Sequence, residues 1–342
     1  MISVSMRDIF NIINHLSLLR IYNLLQLKIS YFLTRLIKKP IHWGKPFSLS
    51  IEPTTACNLG CPECPSGLKK FTRPTGKIDL ELNEKILQQV SKSVFYINYY
   101  FQGEPFLHPQ FLQLIKQAKK HKIYTSTSTN AHFIDQNKAE EIIASGLDRL
   151  IISIDGLTQE SYQNYRINGN LETVLKATQL LIETKKKRQS KTPYLIFQFL
   201  AVKQNEHEIS SVFDLGNKLG IDEVRIKTAQ LYDYKNGHEL MPENSDYSRY
   251  QRQSDGTYVL KYKVGNHCWR MWSGSVITWD GKVVPCCFDK DASHILGNIQ
   301  IDSFNSIWKN DRYQKFRFEV VKNRSQIEIC QNCSEGSKVW VS

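Results

Sequence analysis

The sequence predicts an α/β protein in which β-strands and α-helices alternate along the central part of the chain. Three observations predict this class: six short runs rich in β-branched and aromatic residues, a helical pattern between successive runs, and polar residues directly after several of them. Strands separated by helices pair in parallel, as a barrel or as an open doubly wound sheet. In either architecture the chemistry belongs at the C-terminal ends of the strands.

The alternating elements are predicted between residues 47 and 227. The predicted strands are Phe47–Glu52, Val94–Phe101, Ile123–Thr127, Arg149–Ile154, Tyr194–Val202 and Glu223–Lys227. The predicted helices between them are Leu80–Ser91, Pro109–Lys120, Asp135–Ala144, Leu171–Lys186 and Glu206–Leu219. A polar stretch over 235–262 predicts a linker or irregular loop, and Asp280-Gly281 predicts a hairpin turn beyond it.

A basic helical segment is predicted over residues 1–40, where apolar residues recur three and four apart until Pro40 ends the pattern. Residues 1–46 carry seven Lys or Arg and one acid, so this segment contributes half of the net charge of +12. The segment either packs on the protein or lies on a membrane surface as an interfacial helix. No apolar run is long enough to span a bilayer and no secretory signal is evident. We therefore expect a cytoplasmic protein, peripheral at the inner membrane face if this segment binds lipid.

The eight cysteines fall into two groups. Cys57, Cys61 and Cys64 stand within eight residues just after the first predicted strand, and three thiolates can hold three corners of one iron–sulfur cube. This run offers no fourth ligand, so one iron would stay open to bind a small molecule. The second group ends in a pair spaced like a metal site and consists of Cys268, Cys286, Cys287, Cys330 and Cys333. Tetrahedral zinc is the alternative for the second group.

Polar residues follow the next three predicted strands where those strands end. They are Gly103, Glu104 and Pro105, then Ser128, Thr129 and Asn130, then Ser153 and Asp155. Because the carboxyl ends of parallel strands meet at one edge, we expect these residues to converge with the first cysteines on one rim. His108 and His132 lie near the same rim, where we expect them to cap or pack helix starts.

Together these residues resemble the radical S-adenosylmethionine (SAM) superfamily. The first three cysteines match its Cys-x3-Cys-x2-Cys signature, and Gln102-Gly103-Glu104-Pro105 resembles its Gly-Gly-Glu-Pro motif, with Gln102 in place of the first Gly. A second departure is Glu63, where the superfamily often has an aromatic residue. The resemblance implies a partial (β/α)6 barrel of the TIM type and a SAM-binding 4Fe–4S cluster. It also implies SAM contacts through the motif residues Gly103, Glu104 (methionyl amine) and Pro105. Further implied SAM-binding residues are Ser128, Asn130 near the sugar or the carboxylate, Ser153 and Asp155 near the ribose, and Arg166 at the carboxylate.

The C-terminal part resembles a SPASM or Twitch extension, which carries auxiliary iron–sulfur clusters. The resemblance implies a small α+β domain with a second 4Fe–4S cluster. Its implied ligands are Cys268, Cys286, Cys330 and Cys333, with Cys287 as the spare thiol. The implied organisation is a helical extension (1–45), a radical SAM core (46–235), a linker (236–262) and an auxiliary-cluster domain (263–342).

The resemblance further implies the chemistry. SAM would be cleaved reductively to a 5′-deoxyadenosyl radical, which would take a hydrogen atom from the substrate while the auxiliary cluster accepts or relays an electron. The implied partners are SAM, a reductant such as flavodoxin or ferredoxin, and a peptide or small-molecule substrate, lipid-linked if the enzyme works at a membrane. We expect no nucleic-acid partner. The alternative, a zinc-stabilised nucleic-acid-binding protein, would use the net charge of +12 but leaves Gly103-Glu104-Pro105 unexplained.

Overall fold

The computed structural model describes residues 6–262, 265–335 and 340–341. Its strands are β1 (Ser48–Ile51), β2 (Tyr96–Asn98), β3 (Tyr124–Thr129), β4 (Arg149–Ser153), β5 (Tyr194–Ala201), β6 (Glu223–Thr228), β7 (Tyr250–Arg252), β8 (Tyr258–Leu260), β9 (Gly274–Ile277), β10 (Lys282–Val284), β11 (Gly297–Asn298) and β12 (Trp340–Val341). Its helices are α1 (Met6–Ile13), α2 (Leu18–Ile37), α3 (Pro65–Leu68), α4 (Leu80–Val90), α5 (Phe111–Lys120), α6 (Gln136–Ser145), α7 (Gln159–Tyr165), α8 (Leu171–Lys187), α9 (Ile209–Leu219), α10 (Trp269–Ser273), α11 (Phe304–Lys309), α12 (Asp311–Asn323) and α13 (Glu328–Gln331).

Strands β1 to β6 are parallel neighbours in chain order, and helices connect each to the next. This confirms the predicted α/β class and the partial (β/α)6 barrel. The predicted strands match the observed ones closely except for the second. That strand is only Tyr96–Asn98, because the chain leaves the sheet early to form the loop that carries Gly103.

The two faces of the barrel sheet differ in polarity. Side chains at alternate positions point to opposite faces of a strand. One face lies under the helices in the main apolar core and includes Leu49, Ile51, Ile97, Leu150, Ile152, Phe197 and Phe199. The intervening positions are in register across the sheet and include Ser48, Ser50, Asn98, Ser126, Ser128, Ser153 and Gln198. The barrel interior therefore carries many polar side chains that can receive a ligand, together with a small apolar cluster that contains Ile151 and Ile196.

The C-terminal segment extends the barrel sheet at both edges. Strand β9 pairs in parallel with β1, and β12 pairs antiparallel with β6, so the described sheet has ten strands in the order β11-β10-β9-β1-β2-β3-β4-β5-β6-β12. The predicted hairpin is present as β9 and β10, joined at Gly281 with φ of +80°. Strands from both sides of the implied domain boundary at 263 thus belong to one continuous sheet.

Residues 236–262 are mostly irregular, as predicted, but contain a small hairpin and pack onto the barrel. Strands β7 and β8 pair antiparallel within this segment, and Tyr250 is buried in an apolar cluster with Leu231 and Cys61. The Tyr250 hydroxyl also donates to the backbone carbonyl of Leu231 at 3.1 Å. The polar composition of the segment gave no indication of this packing over the cysteine loop.

The N-terminal segment forms two helices, with the first five residues of the prediction outside the described part. Ser17 caps α2 by accepting from the backbone N–H of Arg20, which divides the predicted single helix. Asp8 on α1 is buried and bonded to Tyr124 and Arg149 at the N-terminal ends of β3 and β4. The extension is therefore anchored at the end of the barrel opposite the rim, in agreement with the packing interpretation. None of the described helices is both long enough and apolar enough to cross a membrane.

Candidate functional site

The three cysteines of the first group lie together in the loop after β1. Cys61 is buried, while Cys57 and Cys64 are half-buried against the same apolar cluster. Burial raises the pKa of Cys57 to about 11, and the neighbouring thiols of Cys61 and Cys64 raise it further. Such thiols stay protonated unless a bound metal supplies positive charge, so metal binding here would release protons.

Two glycines hold this loop in place. A Cβ on Gly67 would lie 2.6 Å from the backbone N of Cys61, so the short helix α3 packs directly against the cysteine loop. Gly103 has φ of +75°, and a Cβ there would lie 2.3 Å from the carbonyl oxygen of Thr54. Only glycine permits both the conformation and the close approach. The motif after β2 is thereby pressed against the cysteine loop.

Glu104 is fixed before any ligand binds. Its carboxylate accepts hydrogen bonds from the Thr129 hydroxyl at 2.7 Å, the Asn130 N–H at 2.8 Å and the Phe106 N–H at 3.2 Å. Burial raises the pKa of Glu104, and these three hydrogen bonds oppose that rise. The backbone N–H of Glu104 donates to the carbonyl of Ala56 at 2.7 Å, beside Cys57. A buried carboxylate at the rim is suited to hold a cationic amine.

Two further side-chain amides belong to residues next to Glu104, which are Gln102 in the same motif and Asn130, whose backbone N–H it binds. Asn130 donates to the side-chain oxygen of Asn58 in the cysteine loop at 2.8 Å, so β3 and the loop are joined directly. Gln102 is buried, and within the described part of the chain its side-chain oxygen has no hydrogen-bond partner. A buried acceptor without a partner is costly, and the N–H of a bound ligand would satisfy it.

Arg166 and Asp155 form a buried pair against the cysteines. The Arg166 Nε donates to Asp155 at 2.5 Å, and its Nη1 donates to the Cys61 sulfur at 3.6 Å. The second Asp155 oxygen accepts from the Leu200 N–H at 2.7 Å. Burial raises the pKa of the Cys61 thiol, while the Arg166 guanidinium opposes that rise. Both Asp155 oxygens are used within the protein, which suits a residue that positions Arg166.

The other rim residues occupy the expected places. Ser128 and Ser153 lie on the interior face by register, and Pro105 is buried in the turn after Glu104. His108 donates through Nε2 to the Ile78 carbonyl at 2.6 Å, and His132 accepts from the Asn170 N–H at 2.8 Å. Both histidines thus serve the local packing and capping that the sequence predicted. The contacts of all these residues with SAM stay predictions.

The second cysteine group forms a buried set on the C-terminal module. Burial raises the pKa of Cys286 well above its usual range, and the adjacent Cys287 thiol and nearby Cys268 and Cys333 contribute to that rise. Burial is also the main reason why the pKa of Cys333 is raised to about 12, and the Cys268 and Cys330 thiols contribute to that rise. Arg324 donates to the Cys333 sulfur at 3.1 Å. Four clustered thiols with a guanidinium beside them suit a negatively charged iron–sulfur cluster.

Cys287 lies beside Cys286 and acts on the same arginine. The Cys287 thiol raises the pKa of Arg270 more than any other group does, and Cys286 raises it as well. Cys287 is half-buried, as is the predicted ligand Cys330, whereas Cys286 is buried. The choice of Cys286 as the ligand and Cys287 as the spare thiol stays a prediction.

Within the part of the chain that the structure describes, no three His, Cys, Asp or Glu side chains are gathered tightly enough to hold a single metal ion. Tetrahedral zinc with Zn–S bonds of about 2.3 Å requires such close packing of thiolates.

Sequence reasoning missed several polar residues of this region. They are Asn58, Lys227, Arg249, Lys290 and Arg324. Lys227 is the one of these residues that the sequence could have indicated, because strand periodicity places it on the interior face of β6. Arg249 lies in the segment that was predicted to be irregular, so the sequence carried no indication of its place.

The fold and site together define a class: an iron–sulfur enzyme built on a partial βα barrel, with a three-cysteine loop at the rim. Family comparison agrees. The radical SAM superfamily model matches residues 51–215, and the iron-sulfur cluster-binding domain SPASM matches residues 268–334. The chain therefore belongs to the radical SAM superfamily and carries a C-terminal SPASM domain. This confirms the predicted cofactors, namely SAM, its 4Fe–4S cluster and an auxiliary iron–sulfur cluster, and leaves the zinc-stabilised nucleic-acid-binding alternative without support.

Several curated proteins are similar over most of their length. A tungsten-containing aldehyde ferredoxin oxidoreductase cofactor-modifying protein of Pyrococcus furiosus is 25% identical over 84% of this chain and 86% of its own. The PqqA peptide cyclase of Gluconobacter oxydans is 24% identical over 86% and 84%. The AdoMet-dependent heme synthase of Methanosarcina barkeri is 24% identical over 84% and 91%. These relatives support assignment of the chain as an enzyme.

Solved structures share the fold. Streptococcus suis SuiB bound to S-adenosylmethionine has a TM-score of 0.63 at 15% identity and covers 91% of this chain and 76% of its own. BtrN in complex with AdoMet and 2-DOIA has a TM-score of 0.52 at 17% identity and covers 87% and 98%. At these identities the likeness establishes the architecture alone.

Proposed function

We propose that this chain is a radical SAM oxidoreductase that takes a hydrogen atom from a substrate held inside the barrel. The observation that carries the proposal is the convergence of Cys57, Cys61 and Cys64 with Glu104 and Arg166 at one rim. When bound, the reduced cluster supplies the electron that cleaves SAM to methionine and a 5′-deoxyadenosyl radical. Reductive cleavage needs an external donor, for which a flavodoxin or ferredoxin is suited.

The chain's own residues would bind and orient SAM. Glu104, fixed by three hydrogen bonds, accepts the methionyl amine, and the Gln102 oxygen is a further acceptor beside it. Arg166 neutralises the SAM carboxylate while Asp155 keeps its guanidinium in place. Ser128 and Ser153 face the barrel interior near the sugar. The covered rim limits access of water, which a reactive radical requires.

The C-terminal module would supply an electron outlet. Cys268, Cys286, Cys330 and Cys333 are suited to hold the auxiliary cluster, and Arg324 stabilises its negative charge. Removal of an electron from the substrate after hydrogen abstraction gives a net oxidation. Relatives named as a peptide cyclase and a heme synthase make both peptides and small molecules reasonable substrate classes.

Anaerobic turnover tests this function. The reconstituted enzyme is incubated with SAM and dithionite, and 5′-deoxyadenosine is measured by chromatography. We expect about eight irons per chain and formation of 5′-deoxyadenosine, while the Cys61→Ala variant forms none. Full iron content without 5′-deoxyadenosine in the unaltered enzyme would contradict the proposal. Deuterated candidate substrates then identify the hydrogen that is abstracted.

The same enzyme is proposed to work at an anionic membrane surface, because helix α2 has its polar stripe inward and its apolar stripe outward. The inward stripe contains Arg20, Asn23, Ser30 and Thr34, none more than 8% exposed. The outward stripe is spaced four and three apart and contains Leu18, Tyr22, Leu25, Ile29, Phe32 and Leu36, each more than 50% exposed.

Binding to a lipid surface would explain both the exposed apolar stripe and the basic residues beside it. The inward side packs against the barrel, where Arg20 donates to the carbonyls of Ser91 and Lys122 at 2.7 Å. The outward stripe is flanked by exposed Lys28, Arg35 and Lys38. Apolar side chains with basic neighbours are typical of helices that lie in the interface of anionic membranes. This supports a cytoplasmic enzyme, peripheral at the inner membrane face, acting on a lipid-linked or anionic substrate.

Vesicle flotation tests the membrane proposal. We expect the protein to float with vesicles that contain phosphatidylglycerol and to bind pure phosphatidylcholine vesicles more weakly. The double variant Phe32→Gln/Leu36→Gln should weaken binding at least about tenfold, since each apolar side chain contributes about 1–2 kcal/mol on transfer from water. Phe318→Gln is the matched control, because Phe318 is 50% exposed on a different helix, α12. Unchanged flotation of the double variant would contradict the proposal.

A further inference from the structure

Arg324 directs its guanidinium at the second cysteine group. The residue directly follows α12, and its side chain is buried, with 3% of the residue exposed. Its Nη2 donates to the Cys333 sulfur at 3.1 Å. Its Nη1 donates to the carbonyl of His267, the residue before Cys268, at 2.9 Å. One guanidinium thus contacts two parts of the cysteine group that are far apart in the chain.

The charge of Arg324 acts on three of the four predicted ligands of the auxiliary cluster. Burial raises the pKa of the Cys268, Cys330 and Cys333 thiols, and the Arg324 guanidinium opposes that rise in all three. At each thiol it is the strongest of the effects that oppose burial. Arg324 therefore favours negative charge on most of this group.

Two carboxylates near these thiols act in the opposite sense. Glu335 raises the pKa of Cys268, and Glu328 raises that of Cys330. Each does so by less than Arg324 lowers the same pKa. Arg324 is therefore the dominant charge at both thiols, and its position 3.1 Å from a sulfur agrees with that role.

The first cysteine group has carboxylates beside it and a more distant guanidinium. Glu104 adds to the effect of burial that raises the pKa of Cys57, and Asp155 does the same at Cys61. Arg166 opposes the rise at Cys61, but its Nη1 lies 3.6 Å from that sulfur, and its Nε donates to Asp155. Added negative charge is therefore less favourable here than in the second group.

An iron–sulfur cluster gains one negative charge when it is reduced. Positive charge and hydrogen bonds at its sulfurs stabilise the reduced state and so raise the reduction potential. A buried charge acts strongly on its neighbours, because little water screens it. The contacts of Arg324 would therefore make the auxiliary cluster easier to reduce than a cluster on the first cysteine group.

We propose that Arg324 raises the reduction potential of the auxiliary cluster above that of the SAM cluster and thereby makes the auxiliary cluster the electron acceptor. Arg324 is a positioning residue, because it acts through the cysteine ligands and does not touch SAM. The inference rests on the proposed function and deepens it. The substrate radical would lose one electron to the oxidised auxiliary cluster and one proton to solvent, and a double bond would form at the carbon that lost hydrogen. A one-electron carrier such as a ferredoxin would then reoxidise the cluster.

Potentiometric titration of the reconstituted enzyme, monitored by electron paramagnetic resonance, measures both potentials. At a fixed potential, Arg324→Gln should lower the ratio of reduced to oxidised auxiliary cluster at least about tenfold, which is about 59 mV for a one-electron couple. The SAM cluster should keep its potential. Arg324→Lys retains the charge without the planar fork and should shift the potential less. Lys322→Gln is the matched control, because it removes an exposed charge on α12 two residues away and should shift neither potential.

Three results would overturn the inference. They are an unchanged auxiliary potential in Arg324→Gln, an auxiliary potential below that of the SAM cluster in the unaltered enzyme, and a loss of about four irons in both Arg324 variants. The last result would show that Arg324 serves cluster assembly. The titration requires neither SAM nor substrate, so it is independent of turnover. Absence of 5′-deoxyadenosine in the unaltered enzyme contradicts the proposed function alone, whatever the two potentials are.

Discussion

Glu52 and Arg73 form a buried ion pair with two hydrogen bonds, at 2.8 and 2.6 Å. Glu52 directly follows β1, and Arg73 follows the cysteine loop. The backbone N–H of Trp279 donates to the same carboxylate at 3.2 Å from the hairpin of the SPASM domain. One fully buried carboxylate thereby joins the barrel, the loop of the first cysteines and the C-terminal module.

Removal of one partner of this pair should be costly. Arg73→Ala leaves Glu52 buried and unpaired, and we expect a loss of about 3–5 kcal/mol in the free energy of unfolding. The double variant Arg73→Met/Glu52→Gln should lose less than the single variant, because no charge remains buried. Urea unfolding monitored by circular dichroism checks both. A double variant less stable than Arg73→Ala would contradict this account.

Glu104 should control SAM affinity. Glu104→Gln keeps the shape of the side chain but removes its charge, and we expect the Kd for SAM to rise about 10- to 100-fold, as expected for one hydrogen bond to a charged group. Glu172→Gln, at an exposed position on α8, is the matched control and should bind SAM normally. Equilibrium dialysis on the reconstituted enzyme measures the Kd. Normal affinity in Glu104→Gln would remove this residue from the SAM site.

Cys286 and Cys287 offer a test between adjacent thiols. Cys286→Ala should contain about four irons after reconstitution, and Cys287→Ala about eight, since only the first removes an auxiliary-cluster ligand. Iron and sulfide analysis measures this, and electron paramagnetic resonance shows which cluster is missing. The opposite pattern would mean that Cys287 is the ligand.

His42 should make stability depend on pH. Burial, together with the smaller effect of the nearby Arg317 guanidinium, lowers the pKa of His42 from 6.5 to about 3. The ring is thus neutral in the folded protein, whereas the unfolded chain takes up a proton below pH 6.5. The neutral ring therefore contributes to the free energy of unfolding above pH 6.5. This contribution is lost as the pH falls toward 3, by up to about 1.4 kcal/mol per pH unit.

Thermal unfolding between pH 7 and pH 5 measures this effect. His42→Gln should show a smaller loss of stability over that interval than the unaltered protein. His207→Gln, which changes an exposed histidine, should follow the unaltered protein. Parallel curves for all three proteins would show that His42 does not titrate on unfolding.

Much of the barrel was predictable because its information is local. Strand and helix periods, the Asp280-Gly281 turn and the spacing of Cys57, Cys61 and Cys64 are properties of short segments. The packing of segment 236–262 onto the barrel was not predictable because its buried residues, such as Tyr250, are few and widely spaced. Contacts between distant segments, such as Arg249 with Thr228, leave no periodic pattern in a single sequence.

The class of fold, the two cysteine groups and the motif around Glu104 are predictable from the sequence, since each depends on residue types at short spacings. Which face each side chain presents depends on the folded chain. It turned the polar stripe of α2 inward against backbone carbonyls and left its apolar stripe exposed, which helical periodicity alone leaves open. It also brought Arg324 against the Cys333 sulfur and the carbonyl that precedes Cys268. The physical reason is that burial and charge balance depend on neighbours across the sheet, and chain folding sets those neighbours.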